Sequence, residues 1–346
     1  MHVFTSAITN YLPKARVLAE SVKRSHPEAK FHLVLSDEPP HGLAADGAPF
    51  DSVITIGELG IPDTRRWIFM HSIVELCTGV KGAAFQYLIK RHGDGEPVLY
   101  LDPDIVVFSR LDGVTRRFTG KSVLLTPHIA VPETSLDAIL DNELGSLKHG
   151  VYNLGFLGVK PDAAGRAFVD WWAARLQLFC YDNIPAGVFT DQRWVDLAMV
   201  FFHDDIGLIR DPECNVATWN LTNRHATGSL KEGVLINGRP LCFYHFSGFD
   251  SGAQERMLDK YGSGMGALYE LRKWYIAECE RLGQEEYGAR TWKYGFFDNG
   301  ELIQRQWRKQ YRVRQDLQRM FPRPFETADP DASYYHWCVK HTPLAP

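Results

Sequence analysis

The ten residues from Val98 to Val107 constrain this chain more than any other stretch. Val98-Leu99-Tyr100-Leu101 run into Asp102-Pro103-Asp104, and Ile105-Val106-Val107 follow. An apolar run rich in β-branched and aromatic residues reads as a strand buried on both faces, as in a parallel sheet covered by helices. Two carboxylates inside such a run cannot stay unpaired in a core, because desolvating an ionised carboxylate is prohibitive. Pro103 has no backbone donor and biases Asp102 toward an extended conformation, so the ladder is expected to end there. The two acids then sit at the carboxyl end of a strand, where open α/β sheets bind their ligands. Either they are polar residues of a tight turn, or they are oxygen ligands of a hard divalent cation whose shell substrate phosphates complete.

The surrounding pattern alternates strand and helix. Residues 4–8, 31–35 and 53–56 read as short buried strands, and 12–25 and about 66–91 as helices. The first helix closes on Lys23 and Arg24, cations that suit the carboxyl end of a helix dipole. Strand–helix–strand order predicts a right-handed parallel unit. Further on, residues 122–126, 152–159, 208–209 and 242–246 read as strands, and 163–179 and 192–202 as helices. Beyond Gly262-Ser263-Gly264 come two helices, 268–282 and 302–321, joined by an aromatic connection holding Trp292, Tyr294, Phe296 and Phe297. The expected class is α/β, a mostly parallel Rossmann-like sheet flanked by helices, with a catalytic domain at 1–262 and a helical, basic and aromatic extension at 263–346. In the last helix Arg305, Arg308, Lys309, Arg312, Arg314 and Arg319 stand against Glu301 and Asp316, while Ile303, Trp307, Tyr311, Leu317 and Phe321 form an apolar stripe. Such a helix either packs on the catalytic domain with its basic face in solvent, or touches an anionic membrane surface or acceptor lipid.

Charge and cysteine usage narrow the partners. A net charge of −4 argues against wholesale nucleic-acid binding. No stretch approaches the length of a bilayer span, and the opening Met1-His2-Val3-Phe4 lacks the basic start of a signal peptide. Six scattered cysteines without a C-x-x-C pair fit reduced thiols in a cytoplasmic protein, not a disulfide framework or a cysteine zinc site.

Three further segments bear on the aspartates. Asn153-Leu154-Gly155 puts an amide and a glycine inside an apolar strand, Thr190-Asp191-Gln192 opens a helix, and His245-Phe246-Ser247-Gly248 ends an aromatic strand. With Lys81 on a preceding helix and Tyr100-Leu101-Asp102-Pro103-Asp104, this ordered set resembles the GT-A glycosyltransferases, specifically the retaining glycosyltransferase family 8, over roughly residues 1–250. Gln86 stands where that family has an arginine, and Phe249-Asp250-Ser251-Gly252 replaces its final lysine motif.

The resemblance implies a metal-dependent transfer of a sugar from a nucleoside diphosphate, UDP by family habit, with retention, to a glycan, glycolipid or protein acceptor. It implies Asp102, Asp104 and His245 as ligands of Mn2+ (or Mg2+), with imidazole favouring Mn2+. Asp191 would accept hydrogen bonds from the donor sugar, unless it is simply a helix N-cap. Gln192 would turn its carbonyl oxygen to the anomeric carbon, Asn153 would bind sugar hydroxyls, and Lys81 would meet phosphate. By position in the fold, Thr5, Ser6 and Asn10 after the first strand and Asp37 after the second would border the nucleotide. Asn215, Trp219 and Asn220 mark a polar loop toward the acceptor. Two other readings stay open: a catalytically silent nucleotide- or sugar-binding module, and a sugar-nucleotide nucleotidyltransferase, whose usual Gly-rich, Arg-containing loop is absent at residues 5–10.

Overall fold

The computed structural model describes residues 1–40, 43, 49–93 and 95–341. Strand β1 (His2–Ala7), helix α1 (Leu12–Ser25) and strand β2 (Lys30–Leu35) make the expected opening unit, with β1 and β2 parallel. Strand β3 (Ser52–Thr55) joins β2 in parallel. Helices α2 (Thr64–Phe69) and α3 (Ile73–His92) then return the chain to β4 (Val98–Leu101), parallel to β1.

At Asp102 the chain leaves this sheet. Strand β5 (Ile105–Val107) pairs antiparallel with the distant strand Phe243–His245 in a two-stranded ribbon. Strands β6 (Val123–Pro127) and β7 (Tyr152–Val159) re-enter the main sheet, where β7 runs antiparallel to both β4 and β6. Strand Ile206–Leu208 closes the edge, giving the order 206–208, β6, β7, β4, β1, β2, β3. The class is therefore α/β with a mostly parallel sheet flanked by helices, as the alternation implies. Helix α3 lies on one face against the helix Ala163–Phe179, with Phe4, Phe85, Tyr100 and Trp172 buried together. Gly82 makes that approach possible, since a Cβ there would sit 2.6 Å from Ala173 Cα.

Three helices differ from the periodicity. The helix expected over about 66–91 breaks at Met70 and His71, because Ser72 and Glu75 form a capping box that starts α3 afresh. The carbonyls freed at the break are taken by arginines far along the chain. Arg308 donates to Phe69 O at 3.0 Å and His71 O at 3.2 Å, and Arg312 donates to Met70 O at 2.8 Å. The helix expected over 192–202 divides into Gln192–Val195 and Ala198–Phe201, where Asp196 turns to accept the Val151 N–H at 2.8 Å. The helix expected over 302–321 divides at Arg314 into Arg305–Val313 and Gln315–Met320.

The last of these also corrects the charge reading. Ile303, Trp307, Tyr311, Leu317 and Phe321 are buried in the same core as Phe4 and Tyr100, so the apolar stripe packs on the α/β layers. The basic residues do not form one solvent face. Arg308 is buried, the Arg312 side chain is 7% exposed beside Glu75, Arg305 pairs with Asp182, and Arg314 pairs with Asp316. Of the six, Lys309 and Arg319 are exposed without such a pairing. Among the described residues no helix is long and apolar enough to cross a membrane. All six cysteines are free thiols.

Burial pushes the Glu75 carboxyl up, but Arg312 at 2.6 Å and the backbone N–H groups of Ser72 and Asp182 outweigh it and hold it at about 2. A carboxyl held below its ordinary 4.5 contributes stability at neutral pH that is lost as pH falls through about 2. Urea unfolding at stepped pH should therefore show stability declining between those values, with a shallower slope in Glu75→Gln. Arg312→Met, which strands the Glu75 charge, should cost about 3–5 kcal/mol at neutral pH; a loss below 1 kcal/mol would mean the pair is not a structural tie.

Candidate active site

The site is assembled where β4 ends. Asp102 keeps a last bond to the sheet, its N–H donating to Gly155 O of β7 at 2.8 Å, and Ile105 N–H closes the turn on Asp102 O at 3.0 Å. Asp104 heads the ribbon, and its carbonyl accepts the Phe246 N–H at 2.8 Å. In that register His245 stands opposite Ile105, so His245 Nε2 comes to 3.1 Å from Asp104 Oδ1 and 3.7 Å from Asp102 Oδ2. One ligand atom from each of Asp102, Asp104 and His245 lies within 4.8 Å of the others. Burial alone would raise the Asp104 carboxyl, yet the His245 imidazole beside it holds it below the ordinary carboxylate value. Burial pulls His245 the other way, and Asp104 and Asp102 reverse this and raise it.

Gly155 explains why a glycine interrupts β7. A Cβ there would sit 2.5 Å from His245 Cε1 and 2.8 Å from Asn153 Oδ1, so the missing side chain is the space the imidazole occupies. The sequence suggested close approach of a ligand at this glycine; the approaching group is His245.

Lys81 of α3 is the second centre. Its ammonium lies 2.9 Å from Asp191 Oδ2 and 3.4 Å from Asp102 Oδ1, donates to Leu154 O at 3.0 Å, and sits over the Tyr100 ring. Burial would lower the Lys81 ammonium, but Asp102 and Asp191 raise it, so it is charged and committed to carboxylates. Tyr100 donates its hydroxyl to Asp102 Oδ1 at 2.5 Å. Asp191 caps no helix with its side chain. Its carboxylate takes Lys81 and the Thr190 hydroxyl instead, at 3.0 Å for the latter. Thr190 adopts a left-handed backbone (φ 44°), which for a β-branched residue costs of order 1–3 kcal/mol. Trp172, donating to Asp191 O, and Tyr181, accepting the Thr190 N–H, hold that turn.

Lys81, Asp102, Asn153, Asp191, Gln192 and His245 all line one cavity of about 410 Å3, together with His128, Thr190 and Trp219. Gln192 is pinned between two backbones: its Oε1 accepts the Leu154 N–H and its amide donates to His149 O, both at 3.0 Å. Asn153 Oδ1 accepts from Gly155 N–H and from the Asn215 amide, at 3.2 and 3.1 Å. The proposed nucleotide residues divide. Asn10 lines an adjoining cavity of about 770 Å3 with Ile8, Arg290 and Trp292. Thr5 and Ser6 are buried in β1 and line neither cavity, and Ser6 meets Ser36 at 3.1 Å. The Asp37 carboxylate is taken by the N–H groups of Thr9, Glu38 and Lys293. Gln86 bonds Asp170 on the neighbouring helix.

No family model matches the chain. It is similar to the uncharacterized protein YfnF of Bacillus subtilis (strain 168), 32% identical over 178 residues, which make up 51% of this chain and 57% of YfnF. The chain thus spans little more than half the length of that relative. It is also similar to the uncharacterized protein YfnD of the same organism, 23% identical over 252 residues, 72% of this chain and 78% of YfnD. Among solved structures it is similar to the galactosyltransferase LgtC in complex with donor and acceptor sugar analogs, at 18% identity, 76% of this chain, 96% of that one and a TM-score of 0.47.

Sequence reasoning missed several residues that line these cavities. His128 follows β6 directly, and a histidine just past a strand end is a signal that was present; burial pushes it down to about 4. Trp292 belongs to the C-terminal segment yet donates to Ser36 O at 3.0 Å, so the region after residue 262 walls the second cavity. Lys14 of α1 lines neither cavity but is buried and pairs with Asp250 in the loop after His245. Gly155→Ala should force His245 or β7 aside at a cost of about 1–3 kcal/mol. Unchanged melting together with an unshifted His245 imidazole resonance would show that the ring does not need this space.

Proposed function

We propose that the protein is a metal-dependent glycosyltransferase of the GT-A type, moving a sugar from a nucleoside diphosphate, a UDP-sugar, to a glycan, glycolipid or protein acceptor with retention. The single observation that carries this reading is the meeting of Asp102, Asp104 and His245 at the end of β4, beside a cavity lined by Lys81, Asp191 and Gln192. Two carboxylates and one imidazole are a donor set for a divalent cation, and the imidazole favours Mn2+ over Mg2+, which prefers oxygen and water. When bound there, the cation would offset the charge that builds on the departing diphosphate as a Lewis acid.

The remaining work falls to the chain itself. Breaking the anomeric bond develops positive charge on the sugar, as in glycoside hydrolysis. Asp191, oriented by Lys81, which opposes the burial that pushes its carboxyl up, supplies a hydrogen-bond acceptor on the cavity wall. Gln192 presents its side chain to the same space, with its oxygen held by Leu154 N–H, so it fixes the wall's shape as well as its polarity. Lys81 acts through Asp102 and Asp191 rather than as a free phosphate ligand, since its partners already satisfy it. The free thiols favour a cytoplasmic setting, where nucleotide-activated sugars are available.

Calorimetric titration of UDP into the full chain tests the metal. Binding should be much tighter with Mn2+ than with EDTA; Asp104→Ala should remove most of that gain, and His245→Ala should narrow the preference for Mn2+ over Mg2+. Equal affinity with and without metal would defeat the reading.

Asp191→Asn should fold and bind nucleotide while lowering turnover, read as metal-dependent hydrolysis of a nucleotide sugar. Wild-type turnover in that variant would exclude the sugar-side role. Absence of any turnover in the wild type, with nucleotide binding intact, would favour a silent binding module.

A further inference from the structure

A second cluster of ligating side chains lies at the other end of the sheet. His2 opens β1, His32 stands in β2 opposite Phe4, and His92 closes α3. Alternation along the strands puts His2 and Phe4 on one face and His32 and Val34 on the same face, the one α3 covers. The three imidazoles therefore converge at the amino-terminal edge of the parallel strands, away from the carboxyl ends where Asp102 and Asp104 sit. Their ring centroids are 4.0 Å (His2–His92), 5.3 Å (His2–His32) and 5.4 Å (His32–His92) apart. His2 Nδ1 is 3.0 Å from His32 Nε2, and one nitrogen from each ring lies within 4.8 Å of the others.

We infer that His2, His32 and His92 form a second metal site, selective for a borderline-soft divalent ion such as Zn2+. Three nitrogen donors suit Zn2+ and disfavour Mg2+ or Mn2+, which prefer oxygen. Zinc–nitrogen bonds of about 2.0–2.1 Å in a tetrahedral shell put ligand nitrogens somewhat over 3 Å apart, near the spacing of His2 and His32. Ser52 Oγ sits 2.8 Å from His32 Nδ1, the outer-shell contact that orients a ligating imidazole and leaves Nε2 facing the site. His92 is exposed, so its ring, stacked on His2, can turn to complete the set, leaving the fourth position to water, since the nearby Glu96 carboxylate is taken by the Met1 ammonium at 2.6 Å. Burial, and for His2 and His32 the neighbouring imidazoles, hold all three rings below the ordinary histidine value, His32 at about 3, so they are neutral and ready to ligate. An ion here would clamp β1 and β2 to the last turn of α3, the helix that carries Lys81.

The test uses the tag-free full chain in an Asp104→Asn background, which disables the carboxylate site. Equilibrium dialysis should find one tightly held Zn2+ per chain, Zn2+ should raise the melting temperature, and Co2+ should give the visible bands of a four-coordinate nitrogen site. Adding His92→Ala, a change at an exposed helix end, should weaken Zn2+ by more than the roughly 10–100-fold that loss of an outer-shell partner costs, and abolish the thermal shift and the Co2+ bands. Zn2+ held equally with and without His92, or no Zn2+ held in the Asp104→Asn chain, would overturn the inference. Neither result bears on Mn2+-dependent nucleotide binding, so this proposal and the transferase reading fail separately.

Discussion

Lys81 is an ammonium taken wholly out of water, and the geometry around it follows from that. A buried cation costs several kcal/mol unless partners surround it. Here they come from three elements: Asp102 just past β4, Asp191 before the helix Gln192–Val195, and the Leu154 carbonyl in β7. Each must stay where it is or leave the charge exposed to a core that cannot solvate it. The distance between the strand end and the opposite cavity wall is thus set by one side chain.

The far end of α3 is secured by the same principle with the signs reversed. Glu75 is a buried carboxylate, and its partner Arg312 arrives from the C-terminal helix Arg305–Val313. Because Arg312 and Arg308 also bind the carbonyls left open between α2 and α3, the C-terminal region finishes a helix break in the first third of the chain. That makes this region part of how the site is held, whatever else it does.

Much of this was legible in sequence, for reasons that differ by element. Tyr152–Val159 and Ala163–Phe179 match their expected bounds because a continuous, nearly all-apolar run and a capped amphipathic run each mark their own extent. The acids of the Asp-Pro-Asp turn were found because carboxylates contradict the apolar run around them. Lys81 was visible as a residue, but its use was not: nothing local says that its charge is spent on Asp191. The break at Met70 and His71 is hard to place from sequence because the carbonyls it frees are taken by Arg308 and Arg312, more than two hundred residues away. Ser72-x-x-Glu75 did announce the restart of α3, and a continuous helical period masked it. Gly155 was noticed as a gap, but only the folded chain shows that the gap has the outline of a histidine ring.

The ribbon of β5 and Phe243–His245 has one more consequence. It fixes His245 by a hydrogen-bond ladder to residues adjoining Asp104, not by the path the chain takes between them. Between Ser109 and Leu241, the connections that hold neither β7, with Leu154 and Gly155, nor Asp191 can lengthen or shorten without altering how Asp102, Asp104 and His245 meet. Within the ladder the tolerance vanishes: a slip of one residue would present Tyr244 or Phe246 to the carboxylates and turn the imidazole to the opposite face. Changes confined to such loops alter the outline of the chain while the charged cluster at the end of β4 stays the same.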